Sequence, residues 1–324
     1  MSTQPVKAKP SSISRREFVR IGVIGGAAAA VAASLPAGAA ESATTGAAAA
    51  AASGAKTDVW VFTGTDKQKL IDAALKVIAK NGGFGTGITR MALKVNAAFP
   101  RTPEEGANTH PELVDAFIAG AKQAGITEVV MPEFACSPTV ISFKKSGMRD
   151  VAEKHGAKLM DLKDNKREFV HVEIPGGKTL TKAKVAKDFL DPKTVVINMP
   201  VAKHHSGAGL SIAMKNWMGS IEDRGFWHKA GLHQCIADFA SFLNARWTIV
   251  DATRIMLDKG PQGPATKMAQ PNQIIVSRDQ VAADAIAALL FVDSPAKIGY
   301  LKIAGEMGIG VSDPTRINVI RANV

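Results

Sequence analysis

The segment 203–238 holds the densest group of side chains that could carry out chemistry. Four of the seven histidines of the chain fall within it, and an imidazole can transfer protons near neutral pH or ligate a metal. These histidines are His204, His205, His228 and His233. We expect all four to be catalytic proton-transfer groups, and His205, His228 and His233 are also the predicted metal ligands. The alternative interpretation is a polar surface loop with capping histidines.

Basic side chains of the same segment could hold an anion. Lys203 and Arg224 are suited to binding a carboxylate or a phosphate. Lys215 follows the mostly apolar run 210–214, so it should be partly buried and should need an anion beside it. A lysine in such surroundings can have a lowered pKa and act as a base, which makes Lys215 a catalytic candidate. In the competing interpretation its stem packs on the core and its amine reaches water.

Further predicted ligand-binding residues lie mainly where predicted strands end, the edge at which open parallel sheets bind their ligands. These residues are Lys94, Asn96, His110, Asn216 and Asp251. We expect Asp251 to orient one of the histidines or to join a metal. A further strand, 272–277, is expected to deliver Arg278 and Asp279 to the same edge.

The elements that must position these residues alternate between strand and helix. The pattern predicts an α/β fold (Rossmann-like): a mostly parallel sheet with helices on both faces and a small β-hairpin inserted near 170–178. Predicted strands are 58–63, 90–96, 128–132, 158–162, 194–199, 246–252 and 272–277, and predicted helices include 65–81, 147–155, 232–243 and 281–291. A further helix is predicted to start at Thr109, with Glu112 three residues later. Neither a Gly-x-Gly-x-x-Gly motif nor a phosphate loop is present, which disfavours a standard dinucleotide site.

The N-terminus predicts export. Arg15 and Arg16 precede an apolar run of about 15 residues, shorter than the roughly 20 that a spanning helix needs, and small residues follow at 37–40. We interpret residues 1–40 as a twin-arginine signal peptide read by the twin-arginine translocase, and expect the protein in the periplasm or extracellular space with no stable membrane span after cleavage. An arginine pair that happens to precede an alanine-rich helix is the alternative. Residues 41–56 are predicted to be a flexible Ala/Ser/Thr/Gly linker, and 57–324 a single α/β domain.

Composition narrows the classes of partner and cofactor. The formal net charge is +11, and +7 remains after residues 1–40 are set aside, which suits an anionic small molecule or an anionic surface. The basic residues are scattered and only one tyrosine is present, so nucleic-acid binding is not expected. The two cysteines, Cys136 and Cys235, cannot ligate an iron–sulfur cluster. They could form one disulfide or remain two separate thiols.

Several of these stretches together resemble a known family, the domain of unknown function 362 family, over about residues 58–295. The matching segments are 93–96, 109–114, 198–205, 214–219, 249–252 and 259–261, with the histidines at 228 and 233 and the pair Asp279 and Asp284. The resemblance points to the same site as the residues do. Many family members carry an added ferredoxin-like domain with cysteine clusters, and the sequence contains no such cluster. The layout of 109–130 is also similar to the N-terminal domain of nickel-pincer lactate racemases.

Two functions follow as expectations. The first is an exported enzyme that acts on an anionic small molecule at the carboxyl ends of the strands, with a divalent metal held by histidine and aspartate as the candidate cofactor. The second is a non-catalytic periplasmic factor that uses the same pocket to bind a metal or cofactor.

Overall fold

The computed structural model describes residues 56–324. The predicted signal peptide and all but the last residue of the predicted linker lie outside the described residues. The strands are, in chain order, β1 (Thr57–Thr63), β2 (Arg90–Val95), β3 (Glu128–Glu133), β4 (Lys158–Asp161), β5 (Phe169–Glu173), β6 (Lys182–Ala186), β7 (Thr194–Met199), β8 (Val201–His205), β9 (Gly209–Ser211), β10 (Trp247–Met256), β11 (Met268–Ala269), β12 (Gln273–Ser277) and β13 (Ile317–Asn323). The helices are α1 (Lys67–Lys80), α2 (Pro111–Gln123), α3 (Thr139–Lys145), α4 (Met148–His155), α5 (Ala213–Asn216), α6 (Arg224–Ala230), α7 (Leu232–Phe242), α8 (Gln280–Ala288) and α9 (Gly299–Glu306). None of the helices in residues 56–324 is long and apolar enough to cross a membrane.

The central sheet confirms the predicted fold class. Its main strand order is β13-β1-β12-β10-β7-β2-β3-β4, and every neighbouring pair is parallel except the two that involve β12. The predicted hairpin forms as well, because β5 and β6 pair antiparallel outside this sheet. The carboxyl ends of β2, β3, β7 and β10 therefore lie along one edge, where ligands of open parallel sheets bind.

Strand alternation assigns the side chains of β2 and β7 to two cores. In β2, Met91 and Leu93 contribute to the core beneath α1, α2 and α4. The intervening Ala92 belongs to the opposite core, which contains side chains of α7, α8 and α9. Lys94 follows the same alternation and pairs across the sheet with Asn198 of β7. Successive side chains of a strand point to opposite faces of the sheet. Lys94 and Asn198 therefore lie on the same face as Ala92, which also carries other candidate site residues.

The start of α2 differs from the prediction. His110, not Thr109, occupies the capping position, and its Nδ1 accepts a hydrogen bond from the Glu112 amide at 3.3 Å. Pro111 follows at the first helical position, whose missing amide would be unpaired in any case. Thr109 instead donates its hydroxyl to the Met199 carbonyl at 2.7 Å, which ties the helix start to β7.

The expectation for Arg278 and Asp279 was wrong because β12 runs against the other main strands. Its carboxyl end therefore lies at the edge opposite the site. Arg278 stacks 5.8 Å from the ring of Trp247, the first residue of β10, and Asp279 caps α8 by accepting the Val281 amide at 2.9 Å. Both residues therefore make contacts within the fold at that edge, away from the candidate site.

The two cysteines are separate free thiols, which decides between the two alternatives left open by the sequence. Cys235 is buried within α7, and burial raises its pKa to about 11. Cys136 is exposed, in the loop that follows β3.

Candidate functional site

The floor of the site is a buried ion pair. The side chain of Lys94 is fully buried, and its ammonium lies 2.9 Å from Oε2 of Glu133, the last residue of β3. The same oxygen accepts the Ala97 amide at 3.1 Å. Burial lowers the pKa of Lys94, while the Glu133 charge opposes that shift. The positive charge of Lys94 is therefore matched within the protein.

A glycine lies directly against this pair. A Cβ atom on Gly219 would lie 2.1 Å from Glu133 Oε1 and 2.8 Å from Lys94 Nζ. The Gly219 carbonyl also accepts the Phe134 amide at 2.8 Å. Absence of a side chain here lets the short 3-10 helix Trp217–Ser220 pack on the end of β3.

Lys203, in β8, is a second fully buried lysine. Its ammonium donates to the Ala107 carbonyl and, at 3.3 Å, to Oδ1 of Asn96, and it lies 4.8 Å from the centre of the Phe99 ring. No carboxylate pairs with it in the described part of the chain. Burial, with a smaller contribution from the neighbouring charge of Lys215, lowers the pKa of Lys203 to about 7.

A chain of asparagine side chains links Lys203 to the rest of the site. Asn96 accepts from Lys203 and donates to Oδ1 of Asn216 at 3.2 Å. Asn216 in turn donates to Oδ1 of Asn198 at 2.8 Å and to the Lys94 carbonyl at 3.2 Å. The order of donors and acceptors fixes the orientation of each asparagine side-chain amide. The hydrogen bonds therefore hold β2, β7 and α5 in one arrangement around the lysines.

Lys215, in α5, is only 8% exposed. Among residues 56–324, its ammonium has a single hydrogen-bonding contact, the Met218 sulfur at 3.0 Å, which is a weak acceptor. Burial lowers the pKa of Lys215 to about 8, and the positive charge of Arg224 contributes to the shift. Lys94, Lys203 and Lys215 together form what we call the lysine cluster, and the cluster carries more positive charge than Glu133 can balance.

Side chains of helix α8 hold α5, the helix that carries Lys215, in place through hydrogen bonds. Both carboxylate oxygens of Asp284 accept backbone amides of α5, from Ala213 at 2.7 Å and Met214 at 3.0 Å. Gln280 accepts the Trp217 indole N–H at 2.8 Å. Gln280 was not among the predicted site residues, and Asp284 was included only through the family resemblance. The available signal was two polar residues in the otherwise apolar helix 280–288.

Arg224 lies beside the cluster, although its hydrogen bonds go to the backbone. Its guanidinium donates to the carbonyls of Phe134 and Ala135, each at 2.8 Å, and stacks 4.6 Å from the Phe134 ring. The bonds fasten α6 to the loop that follows β3. The predicted anion-binding role of Arg224 is therefore limited to its charge and its remaining N–H groups.

Two of the four predicted histidines lie at the cluster. His205 Nδ1 accepts the amides of Gly207 at 3.0 Å and Ala208 at 3.1 Å, so the proton of the neutral ring is on Nε2. Burial, followed by the charges of Lys215 and Lys203, lowers the pKa of His205 to about 3. The His228 ring stacks on it with centroids 6.4 Å apart, and burial and Lys215 lower the pKa of His228 as well.

The other two histidines do not join them. His204 points to the other face of β8, where its Nδ1 accepts the Gly260 amide at 3.1 Å. His233, in α7, stacks on Tyr300 with centroids 6.3 Å apart, and its pKa is lowered by burial alone. The predicted metal site of His205, His228 and His233 is not formed: within residues 56–324, no three or more His, Cys, Asp or Glu side chains are grouped to hold a metal ion.

Asp251 and His110 also depart from the expectation. The buried carboxylate of Asp251 accepts the Thr253 hydroxyl at 2.7 Å, the His110 amide at 2.9 Å and the Arg254 guanidinium. Burial raises its pKa, but Arg254 and the Thr253 donors outweigh that effect and hold the pKa below its usual value. The carboxylate oxygens are thus used by backbone amides, the Thr253 hydroxyl and Arg254, and Asp251 orients no imidazole. Burial and Arg254 lower the pKa of His110 to about 4, consistent with a neutral helix cap.

Comparison with known proteins gives a family match and two distantly similar solved structures. The family model described as "Domain of unknown function (DUF362)" matches residues 91–289. The lactate racemase apoprotein from Thermoanaerobacterium thermosaccharolyticum is similar over 68% of this chain at 14% identity, with a TM-score of 0.41. A crystal structure of a protein from Thermotoga maritima is similar over 76% of this chain at 11% identity, with a TM-score of 0.45. The chain spans 54% and 60% of the lengths of these two proteins, and no curated protein matches it.

Proposed function

The chain belongs to the DUF362 family, and from that premise we propose that it is an enzyme that binds an anionic small molecule at the lysine cluster. The observation that carries the proposal is the pair of buried ammonium groups of Lys203 and Lys215, neither of which has a carboxylate partner in residues 56–324. A buried charge without a counter-charge is costly, and a bound carboxylate or phosphate would supply the missing negative charge.

The same lysines are suited to proton transfer. Burial brings the pKa of Lys203 to about 7 and that of Lys215 to about 8, so both the ammonium and the amine forms are populated near neutral pH. A group with a pKa near the working pH is the most effective general acid or base. We assign the proton transfer to Lys215, the more exposed of the two, and charge neutralisation to Lys203. His205 offers its Nε2–H as a neutral donor beside them.

The pH dependence of anion binding tests this assignment. Oxalate affinity, measured by calorimetry, is expected to be highest below pH 7 and to fall at least about tenfold between pH 7 and pH 9, because the ammonium groups that bind it lose their protons in that window. A Lys229→Met variant, which removes an exposed lysine of α6, should follow the same curve. Affinity that stays constant or rises over this range would contradict the proposal.

We further propose that the protein is exported by the twin-arginine translocase and works in the periplasm or extracellular space. The support is the Arg15-Arg16 pair, the apolar run and the small residues at 37–40. Conservative replacement of both arginines, Arg15→Lys with Arg16→Lys, should leave the protein in the cytoplasm because the translocase reads the pair. Cell fractionation with immunodetection checks this, and export of the double variant at the normal level would contradict it.

A further inference from the structure

The outward face of α3 exposes two aliphatic side chains beside two lysines. Val140 is 62% exposed and Ile141 is 50% exposed, more than any other large hydrophobic side chain in residues 56–324. Residues four apart lie on one face of a helix, so Val140 is a neighbour of Lys144 and Ile141 is a neighbour of Lys145. The opposite face of α3 is buried against the fold. The helix thus presents an apolar first turn and a basic last turn on one outward face.

A basic loop lies beside this helix. Oδ1 of Asp161, the last residue of β4, accepts the Thr139 hydroxyl at 3.0 Å and the Lys163 amide at 2.9 Å. One carboxylate oxygen thereby joins the first residue of α3 to the start of the loop 163–167. All five residues of the loop are exposed and line an open depression in the surface. The basic residues of the loop are Lys163, Lys166 and Arg167.

The exposed aliphatic and basic residues of α3 and of the loop form what we call the α3 patch. Its members are Val140, Ile141, Lys144, Lys145, Lys163, Lys166 and Arg167. None of its basic side chains forms an ion pair within residues 56–324, whereas nearby Lys187 pairs with Glu168 at 2.9 Å. The segments 140–145 and 163–167 contain five basic residues and one acidic residue, Asp164, which gives a net charge of +4. The α3 patch therefore combines unbalanced positive charge with exposed aliphatic surface.

The α3 patch lies at the edge of the sheet that carries the candidate site. β4 runs parallel to β3, so the carboxyl ends of both strands lie there. The loop that leads from β3 into α3 is bonded to the site, because the Phe134 amide donates to the Gly219 carbonyl at 2.8 Å. A surface that contacts the α3 patch therefore lies beside the rim of the site.

We propose that the α3 patch docks the protein on an anionic lipid bilayer. Basic side chains are attracted to an anionic leaflet, and aliphatic side chains add to the binding by entering the headgroup region. The long stems of Lys144 and Lys145 let their ammonium groups reach lipid phosphates while Val140 and Ile141 insert. A protein partner fits the composition less well, because protein interfaces are depleted in lysine and enriched in aromatic residues. The α3 patch contains four lysines and no aromatic residue.

Co-sedimentation of the full chain with lipid vesicles tests the proposal. Vesicles of equimolar phosphatidylglycerol and phosphatidylcholine should bind the protein, and vesicles of phosphatidylcholine alone should bind it at least about tenfold more weakly. The double variant Lys144→Gln with Lys145→Gln should bind the anionic vesicles about 25-fold more weakly than the wild type does, roughly fivefold for each charge lost.

The matched control removes two exposed lysines of α1, Lys76→Gln with Lys80→Gln, and changes the net charge equally. The end of α1 lies at the opposite edge of the sheet, where the Gly83 carbonyl accepts the indole N–H of Trp247, the first residue of β10, at 3.1 Å. Because charges far from the bilayer are screened by salt, this variant should lose less than about threefold in binding.

The aliphatic contribution is tested by Val140→Ser with Ile141→Ser. This variant should bind the anionic vesicles about tenfold more weakly, because two aliphatic side chains no longer leave water. Its melting temperature should not fall, since both side chains are exposed in the free protein. Residues 1–55 are the same in every variant and therefore contribute equally to each comparison.

Three results would overturn docking on a bilayer. The first is equal binding to the two kinds of vesicle, and the second is an equal loss of binding in the two lysine double variants. The third is unchanged vesicle binding by the serine double variant, which would assign the α3 patch to electrostatic attraction for an acidic macromolecule instead.

Discussion

Replacing Lys215 with methionine will stabilise the free protein and abolish its affinity for small anions. Methionine fills a similar volume without a charge. Lys215 is only 8% exposed, and within the described chain its ammonium hydrogen-bonds only to a sulfur. Lowering a lysine pKa from 10.5 to about 8 corresponds to a cost of about 3 kcal/mol for the charged form. We therefore expect the free energy of unfolding of Lys215→Met to exceed that of the wild type by about 3 kcal/mol at pH 7.

The sign of this effect depends on pH in a defined way. Below pH 8 the lysine is protonated in both the folded and unfolded states, so its cost to the folded state is fully present. As the pH rises from 8 towards 10.5, the folded protein loses this proton before the unfolded chain does, and the wild type gains stability relative to the variant. Urea unfolding should therefore show a large difference in stability between Lys215→Met and the wild type at pH 7, and a smaller difference at pH 10.

The control for this experiment is Lys229→Met, which removes an exposed positive charge from α6. It should change neither the stability nor the oxalate affinity appreciably, since an isolated surface charge contributes little. A Lys215→Met variant that is less stable than the wild type at pH 7 would show that the Lys215 charge is not unbalanced in the free protein. A variant that retains full oxalate affinity would show that Lys215 does not bind the anion.

A Gly219→Ala substitution is expected to destabilise the protein by about 3–5 kcal/mol, the cost of disrupting a buried ion pair. The added methyl carbon would lie 2.1 Å from Glu133 Oε1 and 2.8 Å from Lys94 Nζ, far inside van der Waals contact. Both groups are fully buried and held by other hydrogen bonds, so neither can move aside freely. Oxalate affinity should fall as well, because the same turn positions Met218 against Lys215.

Gly225→Ala is the matched control. Gly225 lies in α6, and the nearest atom to an added Cβ there is Asp223 Oδ1 at 3.5 Å, an ordinary contact. Alanine is the better helix former, so this variant should be as stable as the wild type or slightly more stable. Chemical unfolding and calorimetry measure both variants. Equal stability of Gly219→Ala and Gly225→Ala would contradict the tight packing of the turn on the ion pair.

The sequence predicted where the candidate site lies better than it predicted the ion pairs and hydrogen bonds within it. Alternating strands and helices place Lys94 near the end of β2, Asn96 just after it and Lys203 in β8, and parallel strands bring these ends to one edge. What the local pattern could not provide is strand direction. The run 273–277 is equally compatible with a parallel or an antiparallel strand, so Arg278 and Asp279 were assigned to the wrong edge.

Long-range pairing was the second limit. The sequence shows a lysine at 94 and a glutamate at 133, but only the neighbouring positions of β2 and β3 in the sheet reveal that they form an ion pair 39 residues apart in the chain. For Asp251 the partner is local instead. Arg254, three residues later in the chain, forms an ion pair with the carboxylate that was expected to orient a histidine. His233 was grouped with the site because it is close in sequence, yet α7 places it against Tyr300.

The central claim is that the lysine cluster is an anion-binding site, and crystals grown with bromide test it most directly. Diffraction at the bromine absorption edge locates each bound bromide independently of the refined model. We predict an anomalous peak within roughly 4 Å of the Lys215 ammonium, the distance of an ion pair, and its loss in Lys215→Met. A Lys215 ammonium fully hydrogen-bonded to protein oxygens, with bromide only on exposed lysines, would contradict the claim.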